Sequence, residues 1–175
     1  AEQATQLLFG EVCEVVDHLP RWIKIRPTMD GQTGWVSAKM VTPVSEEAKK
    51  QWGDKAMGVV AVPMAVATDI ATGEKRMLTI GTRLPNYADG TFIVLEKQYQ
   101  IDPSCVYEIK GERLEVKGEE VVRVAKSLLN VPYLWGGKNM MGFDCSGFVQ
   151  TVYSVFGIQL LRNAREQITQ GEVVN

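Results

Sequence analysis

The sequence is poor in the residues that build metal sites: it has a single histidine, His18, and three cysteines, Cys13, Cys105 and Cys145. No two of these stand at the short spacing a zinc site uses, so the reading requires no metal and no other cofactor. An odd number of cysteines leaves at least one thiol unpaired, and a Cys13–Cys105 disulfide is one arrangement the count allows. No apolar run approaches the roughly 20 residues of a membrane span. The longest, Met57 to Ala67, is interrupted by Gly58 and Pro63. There is no cluster of one charge: 19 basic residues stand against 21 acidic ones, which argues against a nucleic-acid surface. With 45% hydrophobic and 23% charged residues, the chain lacks the composition of a disordered segment. It opens without a basic stretch leading into an apolar one, so no secretory leader is legible. It also opens without methionine, and Ala1 is expected not to be the native start. A length of 175 residues allows one large domain or two to three small ones, with a sizeable buried core.

The first 45 residues read as β. Leu7 to Val16 is apolar-rich, and Ile23 and Ile25 alternate with Trp22, Lys24 and Arg26 as in a half-buried strand. Asp30-Gly31 signals a turn and Gly34 precedes a short strand, Trp35 to Ser37. The segment holding His18, Val16 to Pro20, reads as a loop. Ser45 can cap a short helix whose acids come first and whose lysines come last, and Gly53 would end it.

Residues 58–117 return to β, with strands expected at Val59–Val62, Met77–Ile80 and Phe92–Leu95. A hairpin is expected from Val106–Lys110 and Arg113–Lys117 across Gly111-Glu112. Beyond Gly118 the period becomes helical. Val121, Val122, Val124, Ala125, Leu128 and Leu129 form one stripe that ends near Asn130, before Pro132. A second helix is expected from Cys145 to Phe156, closed by Gly157, and a third piece over Ala164 to Thr169.

Cys145 carries the chemistry. A thiol at the first turn of a helix faces unpaired backbone N–H groups and the positive end of the helix dipole, and both favour the thiolate. Asp144 is a natural N-cap, and Ser146-Gly147 allow a close approach of the chain. Upstream, Tyr133 and Trp135 flank Gly136 and Gly137, which let backbone come near a ligand. The alternative for Cys145 taken alone is a small buried hydrophobe. Tyr133 reads equally as a packed aromatic.

The stretches Val131-Pro-Tyr-Leu-Trp-Gly-Gly137 and Gly142-Phe-Asp-Cys-Ser-Gly-Phe-Val-Gln150, followed by Gly157-Ile158 and Leu160 to Gln167, resemble the N-terminal half of the catalytic domain of the NlpC family. These are papain-like cysteine peptidases of the bacterial cell wall. More loosely, two segments resemble bacterial Src-homology-3-like barrels. The fold class expected is therefore α+β: a first barrel over 1–45 lacking its start, a linker helix over 46–57, a second barrel over 58–117, and the helical half of a papain-like domain over 118–175. The resemblance implies hydrolysis of peptidoglycan peptides, commonly between γ-D-glutamate and a diamino acid. Two barrels in front imply free muropeptides bearing N-terminal L-alanine. It implies Cys145 as nucleophile, Tyr133 as an oxyanion-hole donor, and Asp144 and Ser146 as holders of the substrate's amino and carboxylate groups. Trp135 is implied as a further substrate-binding residue, and an aromatic of the β units is a candidate wall of the cleft. Arg162 lies in a motif usually read Leu-Pro-Arg, in which Leu161 here replaces the proline.

The family's base is a histidine on strands after the cysteine helix, and no residue after Cys145 is histidine. His18 reads instead as an exposed turn residue. The apolar stripes around Phe148, Val152 and Phe156 also call for a sheet to cover them. The base and that sheet are accordingly expected in a segment beyond Asn175 or in a complementary chain, and the chain by itself is expected to be inactive. The place of action implied is the bacterial cell envelope, periplasmic or secreted, with cytoplasmic recycling as the alternative. A non-catalytic module that binds muropeptides is the competing function.

Overall fold

The structure, a computed structural model, describes residues 2–50, 57–109 and 116–173. Its strands fall into four separate sheets, and among the described residues none closes on itself.

The first sheet is an antiparallel meander of β1 (Cys13–Leu19), β2 (Trp22–Pro27) and β3 (Gly34–Ser37). The alternation in β2 sorts its faces as expected: Ile25 and Pro27 are buried, whereas Trp22 is exposed. Two expectations need correction here. Residues 7–12 are not part of a strand, which begins only at Cys13. His18 is not in a loop but in β1, opposite Ile23, because Pro20-Arg21 alone makes the turn and Leu19 already pairs with Trp22. The apolar residues of 7–12 serve other neighbours: Phe9 packs edge-on against Tyr99 at 6.0 Å between centroids.

Helix α1 (Glu46–Lys50) follows. The Ser45 hydroxyl caps it by accepting from the Ala48 N–H at 3.1 Å. The expected stop at Gly53 lies outside the described residues.

The second β unit holds β4 (Met57–Val60), β5 (Met64–Asp69), β6 (Lys75–Thr79), β7 (Arg83–Pro85), β8 (Thr91–Val94), β9 (Lys97–Ile101) and β10 (Val106–Ile109). One sheet runs β6-β5-β9-β8 and the other β10-β4-β7. Val60, Ala67, Leu78, Leu84, Phe92 and Ile101 fill one core in this unit. Phe92 stacks on Tyr99 at 5.2 Å within it. The expected 106–117 hairpin is described only in part. Val106–Ile109 pairs with β4, Lys110–Glu115 lies outside the described residues, and Val116 and Lys117 are not in a strand.

Helices α2 (Gly118–Lys126), α3 (Cys145–Val155) and α4 (Ala164–Gln167) complete the chain, with a two-strand ribbon of β11 (Lys138–Asn139) and β12 (Gly142–Phe143) before α3. A second core joins Val124 of α2 and Leu128 just after it to Val152 and Val155 of α3, to Phe156 at its C-terminal cap and to Ile80 of the second β unit. Part of the stripe is already covered within this chain, while Phe148 is half-buried. Val152 and Phe156 are 2% and 0% exposed, and Tyr107 of β10 meets Phe156 edge-on at 5.0 Å. The second β unit and α2 supply the apolar surface.

Candidate active site

Cys145 is the first residue of α3 and its side chain is exposed. Local chemistry sets the helix start. Asp144 has extended backbone and its carboxylate accepts the Gly147 N–H at 2.7 Å, satisfying one donor of the first turn. Gly147 is required there, since any Cβ would run into the Gly137 carbonyl.

Asp144 is itself held from several sides. Arg162 donates through both terminal nitrogens, at 3.0 Å to Oδ1 and 2.7 Å to Oδ2, a bidentate pair. The Gly136 N–H donates to Oδ2 at 2.9 Å. Burial pushes the Asp144 carboxyl up, but Arg162 and the Gly147 and Gly136 amides outweigh it and hold the group below the usual carboxylate range. Ser146 donates to Asp144 Oδ1 and accepts from Arg162. Asp144, Ser146 and Arg162 are all buried. The structure thus brings together three of the residues singled out from the sequence, as one ion-paired cluster beneath the start of α3.

Tyr133 and Trp135 lie on the loop next to that cluster, both more than half exposed. The loop is pinned to β12: the Phe143 N–H donates to Pro132 O and the Leu134 N–H to Phe143 O. The Asp144 N–H then donates to Gly137 O at 3.1 Å. Each turn of the glycine loop is therefore bonded to the residues that lead into Cys145.

The Leu161 substitution has a local consequence. Its N–H, which proline would lack, donates to Gln170 at 2.7 Å. Gln167 donates to Leu161 O and Ser146 O, tying the loop back to α3. Gln167 and Gln170 were not singled out from the sequence. Their signal is faint, because a glutamine on a short polar helix looks like surface.

The other cysteines differ in kind. All three are free thiols, so no Cys13–Cys105 bond forms. Burial pushes the Cys13 thiol up to about 11, with Glu11 adding to the effect. His18 is exposed on β1, and its backbone N–H is taken by Asp17. Among the described residues no group of three or more histidine, cysteine or acidic side chains could hold a metal, and no helix is long and apolar enough to cross a membrane.

An exposed thiol at a capped helix start stands beside a glycine loop with two exposed aromatics, an arrangement that can serve a cysteine nucleophile. Residues 130–175 match the model of the NlpC/P60 family, and homology to the peptidases of that family is supported over this stretch. Across almost the whole chain the sequence is similar to two curated proteins named gamma-D-glutamyl-L-lysine dipeptidyl-peptidase. One, from Bacillus cereus, is 27% identical over 98% of this chain and 56% of its own length. The other, from Bacillus subtilis, is 29% identical over 97% of this chain and 59% of its own. The chain thus spans a little over half the length of these relatives. The fold is that of a crystallised NlpC/P60 family protein from Bacillus cereus, with a TM-score of 0.88 at 23% identity, covering 98% of this chain and 61% of that one. An NlpC/P60 endopeptidase from Photobacterium damselae matches with a TM-score of 0.64 at 20% identity, over 84% of this chain and 33% of that one.

Proposed function

We propose that this chain is part of a cysteine peptidase that hydrolyses peptidoglycan stem peptides, at the bond between γ-D-glutamate and a diamino acid in muropeptides with free N-terminal L-alanine. The observation that carries the reading is the exposed Cys145 thiol at the capped start of α3. The names of the two curated relatives support the bond cleaved.

In the proposed mechanism the Cys145 thiolate attacks the γ-glutamyl carbonyl carbon and forms a thioester as the amine leaves. The backbone N–H of Cys145 and the Tyr133 hydroxyl face the developing oxyanion. Trp135, exposed on the glycine loop, helps bind the substrate. Asp144 and Ser146 help hold the substrate's amino and carboxylate groups, with Arg162 bonded to both residues. The step needs a base that takes the thiol proton and delivers it to the leaving amine. We assign that role to a histidine in a further segment or complementary chain, as the family resemblance implies.

The domain reading is likewise a proposal: Src-homology-3-like units over 1–45 and 58–117, a linker over 46–57, and the N-terminal half of a papain-like domain over 118–175. The small antiparallel sheets of the two β units support it. The place of action proposed is the bacterial cell envelope, with cytoplasmic recycling as the alternative.

The test is incubation of the intact protein with L-Ala-γ-D-Glu-L-Lys and mass spectrometry of the products. Release of the L-Ala-γ-D-Glu dipeptide, abolished by Cys145→Ala, is expected. Equal turnover by the variant removes Cys145 as nucleophile. Binding without turnover favours the muropeptide-binding module.

A further inference from the structure

Residues 3–11 carry no helix or strand, yet their polar side chains go to one place. Gln3 donates through Nε2 to the Trp135 carbonyl at 2.9 Å, and its own carbonyl stands where a Cβ on Gly136 would fall. Thr5 accepts from Arg162 Nε at 3.0 Å. The Gln6 amide oxygen accepts two donors, the Lys138 N–H at 2.9 Å and Asn139 Nδ2 at 3.0 Å. Glu11 takes the Lys138 ammonium at 2.7 Å, with only 9% and 6% of the two side chains exposed.

Lys138 is the hub of these contacts. Its backbone N–H goes to Gln6, its carbonyl accepts the Thr151 hydroxyl of α3 at 3.0 Å, and its ammonium goes to Glu11. It directly follows Gly137, whose carbonyl holds the Asp144 N–H. A buried ion pair adds little net stability, because desolvating two charges offsets their attraction; what it does well is fix one geometry. Here the geometry fixed is that of the loop from Trp135 to Lys138, which forms one side of the Cys145 site.

We propose that Gln3–Glu11 is a strap belonging to the active-site scaffold, and that Gln6, Glu11 and Lys138 are positioning residues that set the Trp135–Lys138 loop against Cys145. The proposal rests on the reading of Cys145 as the nucleophile. Gln6 and Glu11 act through Lys138 and touch no reacting atom.

The experiment compares Gln6→Leu, Gln6→Glu and Glu11→Gln in the intact protein, with Glu14→Gln as control. Glu14 pairs with Arg26 across β1 and β2, on the exposed side of the first sheet. Three quantities are read: kcat and KM on the γ-D-glutamyl tripeptide, the rate of Cys145 alkylation by iodoacetamide, and Tm. Gln6→Leu is expected to lower kcat about tenfold or more with KM nearly unchanged, since small misplacements near the chemistry cost that much. It is also expected to slow alkylation well below its Tm. Gln6→Glu keeps an acceptor oxygen for both donors and is expected to restore both rates. Where Glu11→Gln fails to fold, the comparison of Gln6→Leu with Gln6→Glu still decides the matter. A Gln6→Leu variant with lowered Tm but the control's kcat and alkylation rate overturns the proposal and leaves the strap a clasp for stability alone. If the unaltered protein cleaves no such peptide, the functional reading fails separately, and the alkylation comparison still judges the strap.

Discussion

At the residue scale, the three thiols share a side chain and differ only in surroundings. Cys145 is exposed at a helix start. Cys13 is partly buried beside Glu11, and desolvation together with that carboxylate raises its pKa to about 11. Since the thiolate is the reactive form, near pH 8 only about 1 in 1,000 of the Cys13 side chains is ionised at any moment. Brief treatment with iodoacetamide near that pH is expected to label Cys145 and leave Cys13 unlabelled, as peptide mapping by mass spectrometry would show. Labelling of Cys13 first would contradict the assignment. Cysteine counting could not rank these thiols. The motif around Cys145 could, because a cap residue and a small residue two places further on are local signals.

At the element scale, α3 starts where it does because Asp144 closes its first turn and Arg162 closes Asp144. The depressed Asp144 pKa makes a stability statement. Protonation is easier in the unfolded chain, so the contribution is complete above the ordinary carboxylate value near 4 and is lost as pH falls through the lower folded value. Asp144→Asn keeps an oxygen for Gly147 but strands a buried guanidinium, which costs about 3–5 kcal/mol. The variant is expected to be destabilised by that amount at neutral pH. Its remaining stability is expected to fall less steeply than the unaltered protein's on acidification below about pH 4. Urea titrations across the acid range measure both. A variant as stable as its parent at neutral pH would show that the ion pair is not the anchor of α3.

At the scale of the whole molecule, Phe156 is the joint between helices and sheet. It is 0% exposed at the end of α3 and meets Tyr107 of the second β unit. Phe156→Ala removes a fully buried ring and is expected to cost about 3–5 kcal/mol. The measurement is chemical denaturation followed by circular dichroism. A loss confined to the helical signal, with the β signal unchanged, would show that the two cores unfold independently. A further link runs from α3 to the turn between β2 and β3: Gln150, buried in α3, donates to Asp30 at 3.2 Å, and also to Leu160 O at 2.8 Å.

By itself the sequence determined whatever is settled within a few residues. The start of α3 at Cys145, the cap at Asp144, the open backbone at Gly136 and Gly147, and a helix after Gly118 were all legible, because caps and 3.6-residue periodicity act through neighbouring atoms; the expected α2 stripe held only in part, since α2 ends at Lys126 and Val122 and Leu129 are exposed while Val124 and Leu128 are buried. The strand ladder was legible only in pieces. Short strands carry little periodic signal, and what pairs with Val106–Ile109 is settled by packing. Tertiary structure alone decided that the α3 stripe is covered by the second β unit. It also decided that Gln3, Thr5, Gln6 and Glu11 close upon Trp135, Lys138 and Arg162. Those contacts join residues more than a hundred positions apart, and polar side chains outside any helix or strand have no repeat from which their partners could be read.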